Sequence, residues 1–308
     1  MFVRAGRSLL ILPLLVLLSG CNMLVLNPPG DIARQQGNLL IAATVLMLLI
    51  VVPLMLAIAW IAYRYRHTNK QAAYAPEWEH STHVELLIWA APLIIVVALG
   101  AMTWIGTHTL DPYRPIARIS ATQPLPLNKP ALTVQVVAMD WKWLFLYPDY
   151  GIASVNQLVA PVDVPINFKI TATDVMNSFY IPALAGQIMA MPAMETQLSA
   201  IINQPGDYLG FSANYSGAGF SDMQFRFLGK SDADFESWVQ TVKSGGGSLG
   251  RQEYQALARP SENEPVRHYA AVDAGLYSAI LNRCVEPGMM CLQQIMEIDA
   301  KGGIPLQK

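Results

Sequence analysis

Two long apolar segments indicate that this chain crosses a membrane twice. The first, Leu39–Ala62, has 24 residues and no charged side chain, and about 20 apolar residues are enough for a helix to span a bilayer. The second, Val84–Thr107, carries one charged residue, Glu85, at its start. Only 14% of the residues are charged and the net charge is -2, so the composition is typical of a membrane protein and gives no indication of nucleic-acid binding.

The flanking residues orient these two segments. Trp60 and Tyr63 stand at the end of the first segment, where interfacial aromatic belts form, and Arg64, Arg66 and Lys70 follow. Positive residues favour the cytoplasmic side of the membrane. We therefore expect the first segment to run inward, the second to return outward, and the rest of the chain to lie outside.

The first residues have the pattern of a bacterial lipoprotein signal. Two arginines precede an apolar run over residues 9–18, and the sequence Leu-Ser-Gly-Cys ends at Cys21. This chemistry needs a thiol, because its sulfur receives the diacylglycerol. We expect residues 1–20 to be removed and Cys21 to be lipidated. The alternative is an uncleaved anchor with an incidental cysteine.

After residue 110, short β-type segments replace the long apolar ones. They are rich in β-branched and aromatic residues and are separated by turn sequences, which is typical of an all-β sandwich or barrel. The predicted strands are Leu132–Met139, Trp141–Tyr147, Val155–Ala160, Ile166–Thr173, Gln187–Ala190, Gln197–Ile202, Asp207–Phe211 and Met223–Leu228. We interpret residues 111–230 as one Greek-key sandwich that follows a lipidated N-terminus and membrane hairpin over residues 21–110.

Residues 231–308 are predicted to form a helical C-terminal arm. The spacing of apolar residues predicts helices at Asp232–Lys243, Gln252–Ala258 and Asp273–Arg283. Cys284 and Cys291 are the only cysteines of the exported part. A disulfide between them fits a compartment outside the membrane, and two free thiols are the alternative.

Glu85 is the candidate for chemistry in the membrane segments. An ionisable group at membrane depth is by default a functional candidate, often in a proton relay. An interfacial carboxylate that points into water is the alternative. The surrounding pattern His80-x-x-His83-x-Glu85 is too weak a signal to predict a metal site.

The loop Ser212–Met223 has the outline of a metal site without its ligands. Its spacing is that of Cys-x-x-x-Cys-x-x-x-His-x-x-Met, the binuclear copper loop of cytochrome c oxidase subunit 2. The four ligand positions are occupied by Ser212, Ser216, Phe220 and Met223. Soft copper sites need thiolate and imidazole ligands, and no His or Cys lies between residues 111 and 229. The sequence therefore predicts no metal in this domain.

The chain from Cys21 to about Tyr269 resembles subunit 2 of the bo-type ubiquinol oxidases of bacteria. The motifs that carry the resemblance are Met-Asp-Trp-Lys-Trp at 139–143 with Tyr-Pro at 147–148, Val-Met-Asn-Ser-Phe-Tyr-Ile-Pro at 175–182, and the loop at 212–223. Asn177 stands where the family's other copper-binding histidine would be, and Asn214 is a further position of the degenerate copper site. The implied fold is a membrane α-helical hairpin of two transmembrane helices, an all-β cupredoxin-like Greek-key sandwich and a helical C-terminal arm.

The resemblance implies a non-redox structural subunit of a proton-pumping terminal oxidase, which oxidises ubiquinol and reduces oxygen to water in the aerobic respiratory chain. It implies no catalytic residue and no cofactor in this chain, with haems and copper held by partner subunit 1. Expected partners are oxidase subunits 1, 3 and 4 and membrane lipid, with ubiquinol handled by the complex and no cytochrome c. Glu85 matches a carboxylate at the cytoplasmic mouth of one proton pathway in related oxidases. The implied location is the bacterial inner membrane, with the C-terminal domain in the periplasm.

Three other functions fit parts of the sequence. A stand-alone lipid-anchored protein of cupredoxin fold, which binds or assembles something outside an oxidase, would share the anchor and the sandwich. An electron-accepting subunit for cytochrome c would need the copper ligands that this loop lacks. A copper chaperone would need Cys, His or a Met-rich run in the domain, and residues 111–229 have no Cys and no His.

Overall fold

The structure is a computed structural model that describes residues 24–73, 75–126 and 129–301. Its internal contacts divide the chain into two units. One unit is Gln35–Pro115, and the other is the remainder of the described chain.

Two helices make up most of the first unit. Helix α1 spans Asp31–Arg64 and helix α2 spans Thr82–Thr109, so each predicted membrane segment lies inside one helix. Both are long and apolar enough to cross a bilayer. Gly106 of α2 allows close packing, because a Cβ added there would lie 2.9 Å from Leu39 of α1.

The second unit consists largely of strands, and their observed bounds are close to the predicted ones. They are β1 Arg118–Ser120, β2 Gln123–Pro124, β3 Leu132–Met139, β4 Lys142–Tyr147, β5 Ile152–Val155, β6 Gln157–Pro161, β7 Pro165–Ala172, β8 Asn177–Tyr180, β9 Ile188–Ala190, β10 Thr196–Ile201, β11 Gly206–Ser212, β12 Gln224–Lys230, β13 Gly247–Leu249 and β14 Arg267–Val272. Seven of them form one sheet in the order β10-β7-β3-β4-β5-β14-β13, five form a second in the order β6-β12-β11-β8-β9, and β1 pairs with β2.

An aromatic core lies between the two large sheets. Trp143 and Phe145 of β4 are fully buried there and contact Phe179 of β8 and Phe225 of β12. The intervening residues of β4, such as Leu144, point to the opposite face of the sheet, as the period of two in a strand requires. They belong to a second core. Strand β4 is therefore buried on both faces.

The part of the C-terminal region from Leu249 to Ile280 covers that second face, and two strands of the region join the sheet. Its helices are α3 Asp232–Gly245, α4 Arg251–Leu257, α5 Leu276–Leu281 and α6 Leu292–Ala300. Ser231 caps α3 by accepting a hydrogen bond from Asp234 N at 3.2 Å. Between α4 and α5, β14 pairs with β5 antiparallel and with β13 parallel. The arm is thus helical with two strands, and β13, β14 and α6 were not predicted.

One predicted strand is divided in the structure. The segment Val155–Ala160 is interrupted at Asn156, whose φ of 55° lies in the left-handed region that asparagine tolerates. The chain before it belongs to the seven-stranded sheet and the chain after it to the five-stranded one. Asn156 holds this corner by accepting a hydrogen bond from Trp143 N at 2.8 Å.

The start of α1 is attached to the sandwich. Gly30 forms a β-bridge with Ile202 and donates from its backbone N–H to Ala183 O at 3.0 Å. The buried carboxylate of Asp31 accepts two hydrogen bonds from the guanidinium of Arg118, at 2.9 and 3.3 Å. The described residues from Leu24 to Arg34 consequently belong to the sandwich unit.

Candidate functional site

The copper-type loop lies at one end of the five-stranded sheet. It leaves β11 at Ser212, which pairs with Phe179 of β8, and it enters β12 after Met223. A short 3₁₀ helix, Ala218–Asp222, forms its second half. Met223 is fully buried, whereas Ser216 and Phe220 are partly buried.

Three of the ligand-type positions are joined by hydrogen bonds. The Oγ atom of Ser212 lies 3.0 Å from Asn177 Oδ1 and 3.2 Å from Asn214 O, and it accepts from Ser178 N at 3.4 Å. Asn177 donates to Val175 O at 3.1 Å. Asn177 and Ser212 are both buried, so these bonds satisfy polar groups that water does not reach.

The other positions pack against their neighbours. Ser216 Oγ lies 3.9 Å from the Met223 sulfur. The Phe220 ring lies 5.6 Å from the Tyr215 ring, edge on. The structure therefore brings Asn177, Ser212 and Asn214 into one cluster and Ser216 and Met223 into another contact.

This arrangement does not fit a copper ion. Copper of the binuclear kind takes thiolate and imidazole ligands, and the side chains here are two hydroxyls, two amides, a phenyl ring and one thioether. The Ser212 hydroxyl and the Asn177 amide are already bonded to each other. The loop keeps the residue spacing of the copper pattern, and hydrogen bonds between neutral groups and ring contacts stabilise it.

The side chain of Trp141 packs against the loop Ser212–Met223. It lies in the turn between β3 and β4 with a φ of 62°, and its indole Nε1 donates to Ser216 O at 3.1 Å. A Cβ added at Gly219 would lie 2.6 Å from the Trp141 ring. The tryptophan can occupy this place only because residue 219 has no side chain.

Next to Trp141, the buried side chain of Lys142 forms hydrogen bonds with the C-terminal arm. Lys142 is fully buried, and its Nζ donates to Arg259 O at 2.7 Å and to Ser261 Oγ at 2.5 Å. Ser261 in turn donates to Glu264 Oε2 at 2.7 Å, and Arg267 pairs with Glu264 Oε1 at 2.5 Å. Burial lowers the pKa of the Lys142 ammonium, and the carboxylate of Glu264 opposes that shift.

This network, Lys142–Ser261–Glu264–Arg267, was not predicted. The available signal was a lysine in the aromatic run Trp-Lys-Trp-Leu-Phe of β4, since a lysine is almost never fully buried without a partner. Its partners come from more than 110 residues downstream, and no local pattern names them.

Glu85 lies in the first turn of α2 beside a histidine. His80 Nδ1 is 2.7 Å from Glu85 Oε1, and His80 Nε2 is 3.3 Å from Thr82 Oγ1. About half of the Glu85 side chain is exposed, at 52%. The structure thus places a pair of groups that can exchange protons at the start of this helix.

The remaining predicted residues are the three cysteines. Cys21 lies outside the described residues. Cys284 and Cys291 are joined by a disulfide between α5 and α6. Among the described residues, no three His, Cys, Asp or Glu side chains form a group able to hold a metal ion.

Comparison with known proteins decides the family. The chain is 46% identical over 282 residues to cytochrome bo(3) ubiquinol oxidase subunit 2 of Pseudomonas putida, covering 91% of this chain and 87% of that protein. It is 47% identical over 266 residues to ubiquinol oxidase subunit 2 of Acetobacter aceti, covering 86% and 84%. The chain belongs to the ubiquinol oxidase subunit 2 family.

Two family descriptions and one solved structure match parts of this subunit 2 chain. Residues 151–227, which include the loop, match the periplasmic domain of cytochrome c oxidase subunit II, and residues 243–288 match the COX aromatic rich motif. The crystal structure of the periplasmic domain of subunit II of cytochrome oxidase from Bradyrhizobium japonicum is 27% identical, with 39% of this chain and 97% of that chain covered and a TM-score of 0.36. The two family matches, over residues 151–227 and 243–288, support the predicted cupredoxin-like sandwich and arm.

Proposed function

We propose that this subunit 2 works in a quinol:oxygen oxidoreductase as a structural subunit without a redox centre of its own. One observation supports the proposal that this chain has no redox centre of its own. The loop that matches the copper loop has Ser212, Ser216 and Phe220 at the thiolate and imidazole positions, with Asn177 at the remaining one. Its relatives are named ubiquinol oxidase subunit 2.

The proposal accounts for the absent ligands. A copper centre outside the membrane serves an oxidase that takes electrons from a soluble donor. Ubiquinol is a membrane-dissolved donor, so its electrons can reach haems and copper in partner subunit 1 without passing through this chain. The loop then needs to keep only its shape, to which the hydrogen bond between Ser212 and Asn177 at 3.0 Å contributes.

The proposed placement follows the charge pattern. The two apolar helices lie in the bacterial inner membrane, and the sandwich lies in the periplasm. Cys21 carries a diacylglycerol group and anchors the mature N-terminus on the same side. The partners are oxidase subunits 1, 3 and 4, with the helical hairpin packed on subunit 1.

Glu85 is proposed as the entrance to a proton pathway. It stands at the end of α2 that follows the cluster of positive residues Arg64 and Arg66, which the positive-inside rule assigns to the cytoplasm. Its carboxylate is half exposed and contacts His80 at 2.7 Å. A carboxylate and an imidazole in contact can pass a proton from water toward a neighbouring subunit.

The test is isolation of the tagged chain from detergent-solubilised membranes, followed by a haem spectrum and by oxygen uptake with a quinol and with reduced cytochrome c. We expect co-purified haem and quinol-driven uptake, with none from cytochrome c. Uptake from cytochrome c would contradict the non-redox role. Purification without haem would favour the stand-alone lipoprotein of cupredoxin fold.

Mass spectrometry of the same preparation tests the anchor. A mature chain that begins at Cys21 with an added diacylglycerol mass is expected. A chain that retains residues 1–20 would contradict the proposed lipidation without affecting the oxidase assignment.

A further inference from the structure

Four sulfur atoms lie within eight residues between α5 and α6. The segment reads Cys-Val-Glu-Pro-Gly-Met-Met-Cys from Cys284 to Cys291. The disulfide joins its two ends. Met289 and Met290 lie inside the closed loop and are 54% and 46% exposed, although methionine is usually a buried residue. Neither the proposed oxidase role nor the copper-type loop uses this segment.

The backbone of the segment is fixed by bonds other than the disulfide. Before the loop, Cys284 donates its N–H to Ala279 O at 2.9 Å, and Arg251 donates to Cys284 O at 3.2 Å. After it, Leu292 donates to Asn282 O at 2.9 Å. These bonds would keep the two cysteines near each other after reduction.

The spacing of the two cysteines suits a shared ion. Their Cα atoms are 4.8 Å apart. Two sulfurs on one tetrahedral ion with bonds of ~2.3 Å are roughly 3.8 Å apart, which side chains on Cα atoms this close can reach. Cys291 also precedes the first turn of the nine-residue helix α6, where a thiolate is favoured by the helix dipole.

The ligand types select the metal. Thiolates and thioethers are soft donors, and together they favour Cu(I) over the harder divalent ions. Met289 donates its N–H to Glu286 O at 3.2 Å, and Gly288 has a φ of 82°. Met289 and Met290 directly precede Cys291 in the sequence, so their thioethers are within a few residues of both cysteines.

We propose that the segment Cys284–Cys291 is a redox-gated Cu(I) site. In the oxidised chain the disulfide occupies both thiols and no ion binds. A dithiol protein of the thioredoxin class transfers two electrons and two protons to the disulfide and becomes a disulfide itself. Cu(I) then binds to the two sulfurs, which release both protons, and one of the thioethers of Met289 and Met290 completes the site.

The experiment uses the full chain, purified in detergent without other oxidase subunits, so that no copper of subunit 1 is present. One portion stays oxidised and a second is reduced with a dithiol, which is then removed without oxygen. Each portion is titrated with Cu(I) against the chelator bicinchoninate. We expect the reduced chain to remove one more equivalent of Cu(I) from the chelator than the oxidised chain.

Three variants distinguish the ligands. Cys284→Ser with Cys291→Ser should abolish the extra equivalent. Met289→Leu with Met290→Leu keeps the disulfide and the apolar volume, and it should weaken Cu(I) binding by about tenfold or more through loss of a soft ligand. Met194→Leu, at another exposed methionine, should change nothing. Cys21 is present in every variant and contributes equally to all.

Two results would overturn the proposal. Equal Cu(I) uptake by the oxidised and reduced chains would show that the disulfide does not gate the site. Unchanged affinity in the double leucine variant would show that the thioethers are not ligands. Both results are independent of oxygen uptake by the assembled oxidase, so they do not bear on the proposed function.

Discussion

The loop Ser212–Met223 and the first turn of α2 hold their polar groups in opposite ways. In the loop, Asn177 and Ser212 are buried, neutral and bonded to each other at 3.0 Å. At the helix, Glu85 and His80 are ionisable, in contact at 2.7 Å and more than half exposed. Both pairs are short polar contacts, but only the second consists of ionisable side chains.

This difference in burial and charge suggests different roles for the two pairs. A buried neutral pair stabilises one conformation, because each partner satisfies the other away from water. An exposed ionisable pair stabilises little, since surface ion pairs contribute roughly 0–1 kcal/mol, and it remains open to proton exchange. This contrast agrees with our proposal that the loop has a structural role and that Glu85 takes part in proton transfer. The predictions below test that division, beginning with the largest expected effect.

Restoring the soft ligands should convert the loop into a copper site. The substitutions are Asn177→His, Ser212→Cys, Ser216→Cys and Phe220→His, with Met223 kept. We expect a change from no bound copper to a coloured copper-thiolate centre, because the loop retains the spacing of the copper pattern. Metal analysis and the visible absorption spectrum of the copper-loaded chain measure it.

The variant with only Phe220→His is the matched control and should bind no copper in this way. A fourfold variant that melts like the parent chain and takes up no copper would mean that the backbone of the loop has moved away from the metal-binding arrangement. In that case the hydrogen bonds between neutral groups would stabilise a loop conformation that differs from the metal-binding one.

Removing the Glu85 carboxylate should slow the assembled oxidase. Glu85→Gln and Glu85→Ala should each reduce quinol-driven oxygen uptake by about tenfold, since a positioned proton-transfer group contributes at least that much to the rate of a proton-coupled step. Haem content per purified complex should stay the same. Oxygen uptake and the haem spectrum of the same sample measure the two effects.

Glu79→Gln is the control, because Glu79 is an exposed carboxylate of the same connecting segment that precedes α2. Its oxygen uptake should equal that of the parent. Equal uptake in the Glu85 variants would remove the proton-pathway role and leave Glu85 as an interfacial carboxylate.

The network Lys142–Ser261–Glu264–Arg267 should affect the stability of the chain and not the oxygen uptake of the oxidase. Glu264→Gln removes the charge that faces both Lys142 and Arg267. We expect a loss of about 1–3 kcal/mol in the free energy of unfolding, because the buried ammonium of Lys142 loses its largest compensating charge. Denaturant unfolding, followed by tryptophan fluorescence, measures it.

Glu262→Gln is the matched control, since Glu262 is an exposed carboxylate two residues away. Its unfolding midpoint should not move. A Glu264→Gln chain as stable as the parent would mean that Arg259 O and Ser261 Oγ alone are enough to stabilise the buried lysine.

Much of this architecture could be predicted because it depends on local patterns. The membrane helices follow from apolar length, and β3 follows from β-branched residues with the bounds that the structure gives it. The resemblance to the copper loop identifies the positions of Ser212, Ser216 and Phe220, and the sequence shows that none of them is Cys or His. The predicted helix at Asp232–Lys243 is confirmed as part of α3.

The rest depends on contacts between distant residues. Strand β14 exists because it pairs with β5, more than 110 residues earlier, and its own sequence is not strongly alternating. Asn156 divides a continuous β-type segment because its side chain bonds to Trp143 N and Glu264 O. Lys142 is buried because the arm returns to it. None of these partners can be identified from a local window of sequence.

His268 gives the smallest predicted effect, a change in the pH dependence of stability. It lies partly buried in β14, with its Nε2 2.8 Å from Gln157 Oε1, and burial lowers the pKa of its imidazole. Around pH 6.5 and just below, the unfolded chain therefore binds more protons at this position than the folded chain. Stability contributed by neutral His268 is present above that range and is lost as the pH falls through it.

The measurement is the unfolding midpoint of the full chain at pH 7.5 and at pH 5. The parent should lose more stability on acidification than His268→Gln, which keeps a hydrogen-bonding side chain that does not titrate. His83→Gln, at an exposed histidine, should lose as much as the parent. If His268→Gln loses as much stability as the parent, the imidazole of His268 binds protons equally in the folded and unfolded chains. Protonation of β14 would then contribute nothing to the pH dependence of stability, as is expected for the neutral loop at Ser212.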